Sequence, residues 1–174
     1  MSSDTGLYEL AARLGERLHA AGRRLATAES CTAGWVAKAI TDVPGSSQWF
    51  ECGYVTYSDG AKMRDLGVAP ATLAEFGAVS EQTAREMALG ALRVPEVSVA
   101  LAVTGIAGPD GGTPAKPVGT VWFCAAARTG RELQVIGERQ LFAGDRAAVR
   151  HRSVRHALEL LMRLDVPPGG ATTD

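Results

Sequence analysis

The chain has 174 residues, 46% of them hydrophobic and 21% charged, and a net charge of −1. That is enough for one domain with a sizeable core, and it lacks the charge excess that draws proteins to nucleic acid or to membrane surfaces. Aromatic residues are only 6% of the chain, too sparse for a base-stacking platform, so neither a nucleic-acid nor a membrane partner is expected.

Three scattered cysteines, Cys31, Cys52 and Cys124, make no C-x-x-C pair. This speaks against a zinc site or a redox pair and points to a reducing, cytoplasmic compartment. The opening "MSSDTGLYEL" has no apolar run of the signal-peptide kind, and no segment has the length and purity of a transmembrane helix.

In chain order, Leu7, Leu10, Ala11, Leu14, Leu18 and Ala21 repeat at helical spacing and predict a helix over 6–21, stopped by Gly22. "RLATAE" predicts a short buried strand at 24–29. "TAGWVAKAIT" predicts a helix over 32–41, ended by "DVPGSS". "FECGYVTY", 50–57, is rich in strand formers; "SDGAKMRDLG" predicts a short helix closed by Gly67, and "PATLAEFG" another. Ser80 caps a helix over 80–94.

"VSVALAVT", 97–104, is almost continuously apolar, as a strand covered on both faces must be. A Gly/Pro loop follows over 105–119. "TVWFCAAA" and "ELQVIGERQLF" predict two strands joined at "RTG" by a hairpin turn. "GDR" opens a last helix with Ala148, Val149, Val154, Ala157, Leu158, Leu161 and Leu164 as its apolar stripe. Alternating strands and helices with one hairpin predict a three-layer α/β/α sandwich on a mixed, mostly parallel sheet of about five strands. A single domain over 1–164 is expected, with a disordered tail over 165–174.

Four stretches could carry chemistry. In "ATAESCTAG", Ser30, Cys31 and Thr32 lie where a strand passes into a helix, and Ala33 and Gly34 leave room for close approach to the backbone. Unpaired N–H groups at such a junction could hold an oxyanion beside a nucleophile; by itself, though, the stretch reads more simply as a helix cap. In "YVTYSDGAK", Lys62 could activate a hydroxyl once burial lowers its pKa, and Tyr57 could pass the proton; alone, these read as a solvated lysine and a strand-end packing residue.

"TGIAGPDGGTPAKPVG", 104–119, follows the most buried strand at the edge where open α/β sheets bind ligands. Thr104, Gly105 and Gly108 are its candidate binding positions. It could be a plain surface connection, but loops this long without secondary structure are usually functional or disordered, and its place after the buried strand favours function. In "FAGDRAAVRHR", Arg146 and Arg150 sit one turn apart at a helix start, where they could face a phosphate or simply lie on a solvated face. The three histidines, His19, His151 and His156, fall within helices and in no metal-ligand spacing. Cys31 is expected as a buried neighbour rather than a nucleophile.

Taken together, "TAESCTAG", "TDVPGSS", "GYVTYSDGAK", "GAVSEQTAREMA", "AVTGIAGPDGGTPAKPVGTV" and "GDR" resemble, in order and over residues 6–164, the CinA C-terminal domain family. Each motif is weak alone; the ordered series is specific. The resemblance implies a three-layer α/β/α fold and a hydrolase: the stand-alone nicotinamide-mononucleotide amidase, releasing nicotinate mononucleotide and ammonia in pyridine-nucleotide recycling. It maps the catalytic serine onto Ser30, the tyrosine onto Tyr57 and the lysine onto Lys62, and implies no metal and no cofactor.

The substrate-binding positions it suggests are Cys31, Thr32, Ala33, Gly34, Thr104, Gly105, Gly108 and Arg146, and it suggests a homo-oligomer. One departure is visible: the family's usual Gly-Gly after "SCT" is here Ala33-Gly34, an added methyl expected to tighten the pocket. Two competing expectations are a non-catalytic nucleotide- or protein-binding module linked to competence, and an amidase for another small amide.

Overall fold

A computed structural model describes the backbone of residues 2–167 and the side chains from residue 5 onward. Its element order is α1 (Ser2–Ala20), β1 (Leu25–Glu29), α2 (Trp35–Thr41), β2 (Phe50–Val55), α3 (Asp59–Leu66), α4 (Pro70–Phe76), α5 (Glu81–Ala91), β3 (Val99–Gly105), β4 (Thr120–Thr129), β5 (Glu132–Leu141) and α6 (Arg146–Leu161).

The five strands make one sheet in the order β2-β1-β3-β4-β5. β1 runs parallel to both β2 and β3; β4 is antiparallel to β3 and to β5. Four of the five strands therefore point the same way, as the mixed, mostly parallel sheet requires.

Side-chain alternation along the central strands builds the layers. From β3, Val99, Leu101 and Val103 face one side, with Leu25 of β1 and Phe123 of β4, and meet Leu7, Leu14 and Leu18 of α1, Ile40 of α2 and Leu158 of α6. On the opposite side β1 and β3 present the small apolar residues Ala26, Ala28, Ala100 and Ala102, against Leu66 of α3 and Ala84, Met87, Ala88 and Ala91 of α5. Small residues on both partners let α5 lie close to the sheet. Packing of α5 against α3 is tighter still, since a Cβ built on Gly90 would stand 2.1 Å from the Leu66 carbonyl oxygen.

Several boundaries differ from expectation for local reasons. α1 begins at Ser2, earlier than the apolar stripe. The hairpin needs only Gly130 and Arg131: the ladder continues through Arg128↔Leu133 and Thr129↔Glu132, and Gly130 supplies the positive φ of 59° that a two-residue turn demands. β2 stops at Val55, and the 32–41 helix starts only at Trp35. Of the tail expected over 165–174, Val166 packs on the core, and residues 168–174 lie outside the described residues. Among the described residues no helix is long and apolar enough to cross a membrane.

Because β1, β2 and β3 are parallel, their carboxyl ends share one sheet edge. Ser30 follows β1, Thr56 follows β2, and Gly105 ends β3. This edge holds the site.

Candidate active site

The chain between β1 and α2 is a tight turn rather than a helix start. Ser30 continues the sheet by one bond, its N–H donating to Val103 O at 2.9 Å. Ala33 N–H then closes on Ser30 O at 3.1 Å, and Ala33 and Gly34 both take left-handed backbone, with φ of 50° and 87°. The side-chain helix cap expected of this Ser/Thr stretch is not there. Gly34 is the N-cap and makes no side-chain cap bond. The cap comes instead from Glu29, the last residue of β1 and 1% exposed, whose carboxylate accepts from Val36 N–H at 3.0 Å and Ala37 N–H at 2.8 Å. A buried carboxylate on a helix N-terminus is a stabilising placement.

α3 delivers the lysine. Ser58 caps it by accepting from Ala61 N–H, and Lys62 and Leu66, one turn apart, are its buried residues. The lysine side chain runs back toward the helix start, as long side chains in helices do. Its Nζ donates to Thr56 O at 2.9 Å, Tyr57 O at 3.4 Å and Ser30 Oγ at 3.1 Å. The early stop of β2 is what frees those two carbonyls to turn inward. Lys62 is 1% exposed and Ser30 8%. Burial lowers the Lys62 pKa from its ordinary 10.5, against the opposing pull of Asp59 and Cys31. A buried amine with a lowered pKa, on a serine hydroxyl, is the arrangement of a general base and its nucleophile.

Tyr57 joins the site differently than expected. Its carbonyl touches Lys62, but its side chain is 59% exposed and its hydroxyl accepts from Arg146 Nη2 at 2.9 Å. Arg146 is the first residue of α6, and its Nη1 donates to Gly108 O at 2.9 Å. Tyr57, Arg146 and the 105–119 loop thus form one wall above Ser30. The loop is pinned at its base by Ile106 N–H to Thr120 O at 2.9 Å and Gly119 N–H to Ile106 O at 2.8 Å. Further out, Lys116 Nζ donates to Phe76 O at 2.6 Å.

Ser30, Cys31, Tyr57, Lys62 and Arg146 line a cavity of about 280 Å³ with Thr104, Gly105 and Gly108. Thr104 is held by its own bond, Oγ1 to Ala78 O at 2.7 Å, and draws the segment before α5 to the cavity edge. Gly105 is demanded by packing, since a Cβ there would stand 2.8 Å from Thr120 O.

Three expected substrate-side residues fall elsewhere. Ala33 and Gly34 line a separate concavity of about 360 Å³ with Trp35, Lys38 and Arg150. Thr32 is fully buried behind the turn, its Oγ1 without a partner. Ala33 N–H, spent on Ser30 O, is no free oxyanion donor, whereas the N–H groups of Cys31 and Thr32 donate to no acceptor among the described residues. Arg150 does not face the Ser30 cavity with Arg146. Its Nε donates to Cys31 O at 3.1 Å and its Nη2 to Thr32 O at 3.0 Å. Burial pushes the Cys31 thiol up to about 12, so it stays protonated and unreactive near neutral pH.

The cavity also contains residues that the sequence did not single out: Ala78, Val79, Ile106, Ala107, Asp110 and Gly111. Asp110 and Gly111 stood within a loop already suspected. Ala78 and Val79 carry no local signal, because only the Thr104 bond brings them in. Glu29 carried one that was not read: an acidic residue closing an apolar strand immediately before a helix.

Comparison with known proteins identifies the family of the chain. Residues 7–164 match the family model described as the CinA C-terminal domain. The chain is 51% identical over 159 residues to the nicotinamide-nucleotide amidohydrolase PncC of Escherichia coli (strain K12), covering 91% of this chain and 94% of that one. It is also 51% identical over 155 residues to the Pseudomonas putida protein of the same name, covering 89% and 94%. The crystal structure of the competence/damage inducible protein CihA from Agrobacterium tumefaciens superposes with a TM-score of 0.86 at 44% identity, covering 90% of this chain and 94% of that one.

Proposed function

This chain belongs to the CinA C-terminal domain family, and on that premise we propose that it is a cytoplasmic nicotinamide-nucleotide amidohydrolase. It converts nicotinamide mononucleotide to nicotinate mononucleotide and ammonia, a step that returns the pyridine ring to nucleotide recycling. The observation that carries the reading is the buried Lys62 amine 3.1 Å from Ser30 Oγ.

Ser30 Oγ bonds to the carboxamide carbon as its proton passes directly to neutral Lys62. The carbonyl oxygen becomes an oxyanion held by the N–H groups of Cys31 and Thr32. As the C–N bond breaks, Lys62 returns the proton to the departing nitrogen, which leaves as ammonia. Water then attacks the acyl ester, gives a proton to Lys62, and releases the carboxylic acid as the proton returns to Ser30. Arg146 at the cavity wall supplies the positive charge for the ribose phosphate, and Tyr57 holds that guanidinium rather than relaying a proton.

The test is incubation of the purified chain with nicotinamide mononucleotide, following ammonia and nicotinate mononucleotide, beside Ser30→Ala. Turnover that vanishes in a folded Ser30→Ala is the expected result. A variant that keeps turnover removes Ser30 as nucleophile, and a folded wild-type chain that releases no ammonia removes this substrate.

A further inference from the structure

Each backbone N–H points opposite to the carbonyl of its own trans peptide. Whatever holds a carbonyl in the Ser30–Gly34 turn therefore aims the N–H on the other side. Two such handles exist. Ser30 O accepts from Ala33 N–H at 3.1 Å and so aims Cys31 N–H. Cys31 O accepts from Arg150 Nε at 3.1 Å and so aims Thr32 N–H. Cys31, Thr32 and Gly34 have N–H groups without an acceptor among the described residues, and of these only Cys31 and Thr32 adjoin Ser30, Gly34 lining the other concavity. Arg150 lines the concavity of Ala33 and Gly34 and not the Ser30 cavity, and the Thr32 N–H it aims points away from its own guanidinium.

We infer that Arg150 is a positioning residue for catalysis: by gripping the Cys31 and Thr32 carbonyls it fixes the Thr32 N–H as the second donor of the oxyanion hole. Its build suits the task. The planar guanidinium meets two carbonyls with two N–H groups, which a lysine ammonium cannot match in fixed geometry. The same plane stacks over Trp35, with Cζ 5.4 Å from the ring centroid. The second bond, Nη2 to Thr32 O at 3.0 Å, joins Trp35 N–H, at 3.2 Å, in holding the peptide that turns Ala33 N–H onto Ser30 O, so one side chain supports both handles. The inference rests on the serine-amidase reading, but it concerns the hole and not the identity of the substrate.

The test compares the full chain with Arg150→Ala and Arg150→Lys, each checked for native folding by thermal melting. One readout is kcat and KM on nicotinamide mononucleotide. The other is the rate at which an alkyl fluorophosphonate labels Ser30. There the Ser30 Oγ–P bond forms, the P–F bond breaks with loss of fluoride, the proton passes to Lys62, and the phosphoryl oxygen occupies the oxyanion's place without any nicotinamide.

In Arg150→Ala, kcat is expected to fall about 10- to 100-fold with KM within about twofold, and labelling to slow in parallel. Arg150→Lys falls less, and added guanidinium partly restores Arg150→Ala. If Arg150→Ala does not fold, Arg150→Lys carries the comparison. Labelling at the wild-type rate in a folded variant overturns the inference. So does a loss confined to KM, which would place Arg150 on the substrate, and so does a wild type that never labels. A wild type that labels and is slowed by the substitutions, yet releases no ammonia, removes the nucleotide substrate and keeps the positioning role.

Discussion

Lys62 Nζ donates to Ser30 Oγ across 3.1 Å, although the two residues stand 32 apart in the chain, one following β1 and the other on α3. The amine also donates to Thr56 O and Tyr57 O, so it is oriented before any substrate arrives. As a base it must be neutral, and its burial lowers the pKa from 10.5. The acid limb of kcat/KM is therefore expected to rise with pH through an inflection below that of a free lysine. The sign for stability follows from the same shift. The unfolded chain holds this proton more tightly than the native one, so native stability rises with pH between the lowered pKa and 10.5. A pH–rate profile with an inflection at or above 10.5 would remove Lys62 as the base.

Tyr57 offers a sharp separation of roles. Its hydroxyl lies on Arg146 at 2.9 Å, and only its backbone carbonyl meets Lys62. Tyr57→Phe removes the bond to Arg146 and leaves the Ser30–Lys62 pair intact. We expect KM to rise several-fold and kcat to stay within about threefold, with stability within about 0.5 kcal/mol because the ring is exposed. A fall in kcat of about 100-fold or more at unchanged KM would instead make the phenol a proton relay.

Gly90 links the far side of the core to the site. It lies in α5 against the end of α3, where a Cβ would stand 2.1 Å from Leu66 O. α3 is the helix that carries Lys62. Gly90→Ala gains about 1 kcal/mol of helix propensity, but must push a backbone away at a cost of about 1–3 kcal/mol or more. Net destabilisation of up to about 2 kcal/mol or more is expected, lowering Tm by about 2–4 °C per kcal/mol. Because the displaced helix takes Lys62 with it, kcat should fall as well. Thermal melting and steady-state kinetics on the same variant check both. A loss of Tm with full kcat would show that α3 shifts without disturbing the pair.

Periodicity carried most of the fold. The apolar run of β3, the α6 stripe and the hairpin are strong local patterns, and the sheet edge follows from their order. Ser30, Lys62 and Arg146, which the fold brings to one cavity, stood out in the sequence because each lies at a strand end or in the first turn of a helix. The finer wiring was not. Ala78 and Val79 reach the cavity through a bond from Thr104, a contact between segments far apart in sequence. Arg150 reads as one more charge on a helix until its two carbonyl partners, 118 and 119 residues away, are seen. The Ser30–Thr32 stretch reads as a cap because serine and threonine are favoured at that position. Glu29 took that role from inside the strand, where its carboxylate reaches α2 in space rather than along the chain.

Ala33 is the remaining departure, and its place in the turn changes what the extra methyl is expected to do. It adopts φ of 50°, the one positive-φ residue other than glycine among those described. Left-handed backbone costs a residue with a Cβ about 1–2 kcal/mol. Replacing it by glycine relieves that strain but adds about 0.4–1 kcal/mol of freedom to the unfolded chain. Ala33→Gly is therefore expected to stabilise by up to about 1 kcal/mol, read from a denaturant midpoint at unchanged m-value. Activity should hardly move, since Ala33 lines the concavity shared with Trp35 and Arg150, apart from the Ser30 cavity. Its N–H bond to Ser30 O, which a glycine can also make, is what the turn needs. A large gain in kcat or a new amide substrate in Ala33→Gly would mean that the methyl reaches the reacting carbonyl and that the two concavities join when substrate binds.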